Sequence, residues 1–215
     1  MNLDQARFFM VEQQIRPWDV LDPQVLDLLE SLPRHHFVAE SQQKLAYTDI
    51  ELPIGEGQTM LAPKIEAKIM QALDVAESDE ILEIGTGSGY MTGLLASLGK
   101  SVTTIEIFEA LQATAKSRLT PFDNITFHIG DASQTWNDLK DYDVIVLTAS
   151  CPALPESYKT KLKLGGRLFA FVGQSPAMEA KLITRLSENE WLEESLFETD
   201  VAPLVNSRPT SQFIF

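Results

Sequence analysis

Three glycines at alternating positions, Gly85, Gly87 and Gly89, follow the β-favouring run Ile81-Leu82-Glu83-Ile84 and precede a helical pattern that opens at Tyr90. That order describes a strand, a tight turn and a helix start. Glycine in such a turn takes positive φ without a Cβ clash and lets the backbone come close to a ligand. The helix start behind it offers free N–H groups and the positive end of a dipole. A dinucleotide site of the G-x-G-x-x-G kind needs its third glycine one position later, where this chain has Tyr90. Gly85, Thr86, Gly87, Ser88 and Gly89, with Glu83 two positions before the first glycine, are therefore candidates to hold a ligand of another kind.

Two carboxylates stand where the next strands should end. Glu106, followed by Ile107, closes the second strand candidate, where an acid can accept hydrogen bonds from ribose hydroxyls. Asp131 comes after the third, behind Gly130, and can accept from an adenine amino group while the small Ala132 leaves room for the ring. The fourth strand candidate ends in Leu147-Thr148-Ala149-Ser150, which brings Thr148 and Ala149 to the same crevice. Other chemistries are poorly served. His35, His36 and His128 lack metal-site spacing, so no metal is expected. No G-x-S-x-G elbow is present. Cys151, the single cysteine, stands beside a proline and reads as a small buried hydrophobe.

The elements that must position these residues alternate. Strand patterns run over Glu80–Ile84, Ser101–Ile107, Asn124–Ile129, Asp143–Ala149 and Arg167–Gly173, with helical patterns at Tyr90–Leu98, Glu109–Leu119, Glu156–Leu162 and, after the fifth strand, Glu179–Leu186. Two further strands are expected at Leu192–Val201 and Ser211–Phe215. Such alternation implies an α/β fold, a doubly wound and mostly parallel seven-stranded sheet of the Rossmann-like kind with a late antiparallel addition. Ahead of it, helices are expected from Asn2 to Arg16-Pro17, from Asp22-Pro23 to Pro33, and from Ala62-Pro63 onward. Between Arg34 and Thr59 lies an ordered loop region with one short strand. We expect a single domain over residues 1–215, with 1–75 a helical cap and substrate-side loop and 76–215 the α/β core.

Composition narrows the setting. The formal net charge of −14 opposes binding to phosphate backbones, so a nucleic-acid partner is not expected. No apolar run approaches the roughly 20 residues of a membrane span, and Met1 to Ile15 does not read as a signal peptide. A cytoplasmic location is expected, with no membrane partner. Nothing in the chain speaks to oligomeric state.

The segment Glu83 to Gly89 has the form E-x-G-x-G-x-G and resembles the first motif of the S-adenosylmethionine-dependent methyltransferases. The rest of the chain narrows the resemblance. Leu32-Pro33-Arg34-His35-His36-Phe37-Val38, Ala46-Tyr47-Thr48-Asp49, Leu52-Pro53-Ile54-Gly55-Glu56-Gly57-Gln58-Thr59, Tyr142 to Ala149, Pro152 to Pro155 and Ala202-Pro203-Leu204-Val205 resemble, in the same order, the protein-L-isoaspartate O-methyltransferases. The resemblance implies a methyltransferase sheet with an N-terminal helical cap and a modified strand order at its C-terminal end. It implies S-adenosylmethionine as cofactor, held by Thr59, Leu61, Glu83, Gly85, Thr86, Gly87, Ser88, Gly89, Glu106, Ile107, Asp131 and Ala132. Ile54, Thr148 and Ala149 are then the acceptor-side residues. The family's serine, regarded as its active-site residue, falls at Leu61, so no catalytic residue is assigned. The implied reaction is methyl transfer to the carboxyl of L-isoaspartyl residues of proteins or peptides. Leu61 also leaves open a less polar small-molecule acceptor, or cofactor binding without isoaspartyl activity.

Overall fold

The computed structural model describes residues 2–207. Asn2 caps α1 (Leu3–Met10) by accepting from the Asp4 and Gln5 amides at 3.0 and 3.2 Å. The chain stays helical beyond Met10, first as a wide π turn over Val11–Ile15 and then as a 3-10 turn over Arg16–Trp18. The change of pitch precedes Pro17, whose ring would meet the carbonyl four residues back in a regular helix. Asp22 caps α2 (Pro23–Ser31), with proline at the first helical position as the sequence implies. The loop region holds two 3-10 turns and a hairpin, β1 (Leu52–Gly55) with β2 (Gln58–Met60), in place of one strand. Gly55, Glu56 and Gly57 all take positive φ at its tip. Then comes α3 (Pro63–Leu73).

The α/β part runs β3 (Glu80–Ile84), α4 (Tyr90–Leu98), β4 (Ser101–Glu106), α5 (Glu109–Arg118), β5 (Ile125–Ile129), β6 (Tyr142–Cys151), α6 (Glu156–Thr160), β7 (Leu162–Gln174), β8 (Ala177–Ser187) and β9 (Glu190–Thr199). The seven-stranded sheet has the order β5-β4-β3-β6-β7-β8-β9, parallel from β5 to β7 and antiparallel in its last two pairings. Strand order reverses between β3 and β6, the place where an open α/β sheet leaves a crevice at its carboxyl edge. Alternate residues serve two cores. Ile81, Val144, Val146, Phe169 and Phe171 join the core built with α2, α3 and α4, while Leu82, Ile84, Ile145, Leu147 and Leu168 join Tyr158 on the other face. Among the described residues no helix is long and apolar enough to cross a membrane.

One element departs from the sequence pattern. The segment Glu179–Leu186 is not a helix but most of β8, paired antiparallel to β7 along its length. Met178, Ala180 and Leu182 face one core and Ile183 the other. Apolar residues on both faces erase the period of two and leave a spacing that imitates a helix. The expected strand Ser211–Phe215 lies outside the described residues.

Glu83 sits inside this framework. Its side chain is fully buried and accepts from the Thr92 hydroxyl of α4 at 2.5 Å and the Thr104 hydroxyl of β4 at 2.6 Å. With the Thr104 proton used there, the Thr86 hydroxyl donates to Thr104 at 2.6 Å. The glycine turn is thus tied to a helix and a neighbouring strand through one carboxyl. Burial pushes that carboxyl up to about 8 despite the two hydroxyls. The unfolded chain releases this proton near the ordinary value of 4.5, and the folded chain holds it to about 8. This site's stabilising contribution is therefore complete below about pH 4.5 and is lost as pH rises through about 8. Urea unfolding at several pH values should show a steeper decline between pH 5 and 8.5 for wild type than for Glu83→Gln, which has no proton to lose.

Candidate functional site

The glycine turn stands at the end of β3, with φ of 97° at Gly85, 53° at Gly87 and 87° at Gly89. The three glycines have different neighbours. A Cβ on Gly85 would overlap the Thr148 hydroxyl, which donates to the Ile84 and Gly85 carbonyls at 3.0 and 2.8 Å. A Cβ on Gly87 would stand 3.3 Å from Ile54 Cδ1. Gly89 faces away, and a Cβ there would stand 3.0 Å from that of Ala115 on α5. Gly85 and Gly87 therefore front the crevice, while Gly89 caps α4 and lets α5 pack closely.

Glu106 ends β4 with both oxygens already oriented. Oε2 accepts from the Gly87 amide at 2.8 Å, and Oε1 from the Ile107 and Phe108 amides at 3.0 and 3.1 Å. Asp131 follows β5 and accepts from the Ser133 amide and the Asn206 side-chain amide, both at 2.9 Å. Burial alone would raise the Asp131 carboxyl; these donors outweigh it and hold the group below its ordinary value.

Both carboxylates border one open cavity of about 700 Å³, which Thr59, Leu61, Gly85, Gly87, Ile107, Ala132, Ile54, Thr148 and Ala149 also line. A smaller hollow of about 290 Å³ shares Thr59, Leu61, Gly85, Gly87 and Thr148 with it and adds Thr86, Ser88 and Glu66. Of the residues expected at the site, then, all but Glu83 and Gly89 reach one of these two spaces. Those two stand behind the wall, Glu83 because its carboxyl turns toward Thr92 and Thr104, and Gly89 because it meets α5.

Other residues in and around the wall were not among those the sequence assigned to binding. Phe108 and Leu111 at the start of α5 line the cavity, yet read as ordinary core positions. Arg118 Nη1 donates to the Ser88 carbonyl at 3.1 Å and the Phe37 carbonyl at 2.8 Å, joining the turn to the N-terminal part. Leu204 and Val205 close one side. They are held by a parallel bridge in which the Ser150 amide donates to Ala202 at 2.9 Å and the Leu204 amide to Ser150 at 2.8 Å. Glu66 did leave a trace, since it lies four and seven residues before Met70 and Leu73 on the buried stripe of α3. Cys151 is buried with its thiol pushed up to about 11, the state of an inert side chain. His35 is partly buried against the Tyr47 hydroxyl at 2.6 Å.

Comparison with known proteins identifies the family. A family model described as protein-L-isoaspartate(D-aspartate) O-methyltransferase matches residues 7–208. The chain is 36% identical over 209 residues to protein-L-isoaspartate O-methyltransferase 1 of Geotalea uraniireducens, covering 96% of this chain and 95% of that one. It is 41% identical over 199 residues to protein-L-isoaspartate O-methyltransferase of Syntrophus aciditrophicus, covering 91% of each. Two solved structures share the fold. One protein-L-isoaspartate O-methyltransferase superposes with a TM-score of 0.79 at 23% identity, over 93% of this chain and 65% of that one. A Plasmodium falciparum protein described in the same terms, in complex with S-adenosyl-L-homocysteine, has a TM-score of 0.77 at 20% identity, over 95% and 98%. The chain belongs to the protein-L-isoaspartate(D-aspartate) O-methyltransferase family.

Proposed function

We propose that this chain transfers the methyl group of S-adenosylmethionine to the carboxyl of L-isoaspartyl residues in proteins and peptides. The observation that carries the reading is the convergence of the glycine turn, Glu106 and Asp131 on one cavity at the strand-order reversal. The residues present fit the cofactor. Gly85 and Gly87 keep the backbone of the turn bare along the cavity wall, with positive φ at both. Glu106 presents oriented oxygens to a ribose, and Asp131 with Ala132 suits an adenine edge. Walls bearing carboxylates favour a ligand with positive charge.

When bound, the sulfonium supplies a methyl group already activated for displacement. An isoaspartyl carboxyl is ionised at neutral pH and needs no base to become a nucleophile. The task left to the protein is to hold that oxygen in line and dry, largely a matter of positioning. Ile54, Thr148 and Ala149 on the open side of the turn are the residues we assign to it. Leu61 fits this scheme, because carboxylate methylation does not require a hydroxyl there. A phenol or amine acceptor would need its proton removed, and this wall offers no histidine.

Three outcomes check the reading. Methyl from labelled cofactor should enter a peptide carrying an isoaspartyl residue and not the same peptide with ordinary aspartate; equal incorporation would refute the acceptor assignment. Glu106→Ala should weaken S-adenosylhomocysteine binding about 10²-fold by calorimetry, since it removes hydrogen bonds to a charged acceptor. Leu61→Ser should raise turnover on the isoaspartyl peptide by about tenfold, through an added donor near the reacting oxygen.

A further inference from the structure

The main cavity continues past its own walls. Gln58, Ala202, Leu204 and Val205 also line a trough of about 930 Å³. That trough shares Pro152, Gln174, Ala202 and Pro203 with a third space of about 770 Å³ at the carboxyl ends of β6 and β7. The three spaces run together along residues 202–205, which the Ser150 bridge holds in place. The third space has walls of two kinds. Pro152, Met178, Val201 and Pro203 make part of it apolar, and Glu51 and Asp200 make part of it acidic. Glu51 Oε2 accepts from the Thr59 hydroxyl at 2.7 Å, and Asp200 Oδ2 from the Ser175 hydroxyl at 2.9 Å. Each carboxylate keeps its second oxygen for another donor. Among the described residues neither is paired with a lysine or arginine; Lys64 and Lys181 pair with Asp49 and Glu179 instead. Nor does any described lysine or arginine line one of the three spaces.

An isoaspartyl acceptor is one residue of a polypeptide. With its carboxyl beside Ile54, Thr148 and Ala149, the residues on either side of it must leave the main cavity. Ser150, next to Ala149, already borders the third space. An extended chain advances about 3.3 Å per residue, so a side chain one or two positions away comes to that space. An apolar wall beside carboxylates suits a long basic side chain, whose methylenes cover the apolar part while its cationic end reaches the acids. An acidic side chain would meet like charge there. We propose that the space between Glu51 and Asp200 receives a lysine or arginine flanking the isoaspartyl residue, so that the chain selects acceptors with a basic flank. This deepens the functional reading above and rests on it.

Methyl-transfer kinetics on the full chain test it with isoaspartyl peptides that differ at one position, carrying lysine or glutamate at each of the two places before and after the acceptor. At one of these places the lysine peptide should exceed the glutamate peptide in kcat/KM by about tenfold, chiefly through KM, and the ratio should shrink as salt is added. The double variant Glu51→Gln, Asp200→Asn keeps an acceptor for Thr59 and for Ser175 and removes both charges. Its ratio should fall to about twofold. Should that variant not fold, the exposed Asp200→Lys change alone should bring the ratio to one or below. A wild-type chain that treats the two peptides alike at every position overturns the proposal. So does a ratio that the charge-removing variants leave intact, since the preference would then come from the overall charge of −14 rather than from this space. A wild-type chain that methylates none of the isoaspartyl peptides overturns the functional reading and this proposal together.

Discussion

The site depends on the hydrogen bond from the Gly87 amide to Glu106, 2.8 Å long. It joins the turn after β3 to the end of the neighbouring β4, holding a backbone loop and a carboxylate in one orientation. Neither partner would stay in place alone. Glycine is costly to order because it has so much freedom to lose, and a long acidic side chain loses rotamer entropy when fixed. Each restrains the other, and the Ile107 and Phe108 amides complete the fixation. Below them, Glu83 with Thr86, Thr92 and Thr104 anchors the turn from the protein side. Glu106 at the end of β4 borders the cavity, while Glu83, within β3 below the turn, is buried toward the core.

Much of the parallel sheet was legible in the sequence, because each strand there is a short apolar run closed by a turn and followed by a helical pattern. The bounds of β3 and α4 fell where the residues placed them. Glu106 and Asp131 were legible for the same reason, as polar residues at strand ends. Legibility failed where one period hid another. The strand β8 buries residues on both faces, so its pattern lost the alternation that marks a half-exposed strand. Glu83 and Gly89 show a different limit. The motif identifies a turn but does not tell which of its residues look outward; that depends on α4 and α5, which pack against it from behind.

The N-terminal part contributes more than a cover. Arg34 lies far from the turn in sequence, yet it organises the short segment that holds Leu61 and, through Glu66, the inner end of the cleft. Removing one partner of a buried pair leaves an uncompensated charge, a change that typically costs about 3–5 kcal/mol. The Tyr90 ring adds a cation–π contact to the same guanidinium. The helix that begins the glycine turn's far side and the loop that begins the acceptor side therefore share a single cationic hub.

Among the described residues β9 is the outermost strand of the sheet and carries Glu190, Glu193, Glu194 and Glu198 beside the exposed Leu192 and Leu196. An unpaired strand edge invites any extended polypeptide to add itself, and acidic side chains discourage that. Like charges along this rim oppose the addition of a second such edge. The same rim also discourages an extended polypeptide substrate from pairing by its main chain at an edge remote from the crevice between β3 and β6.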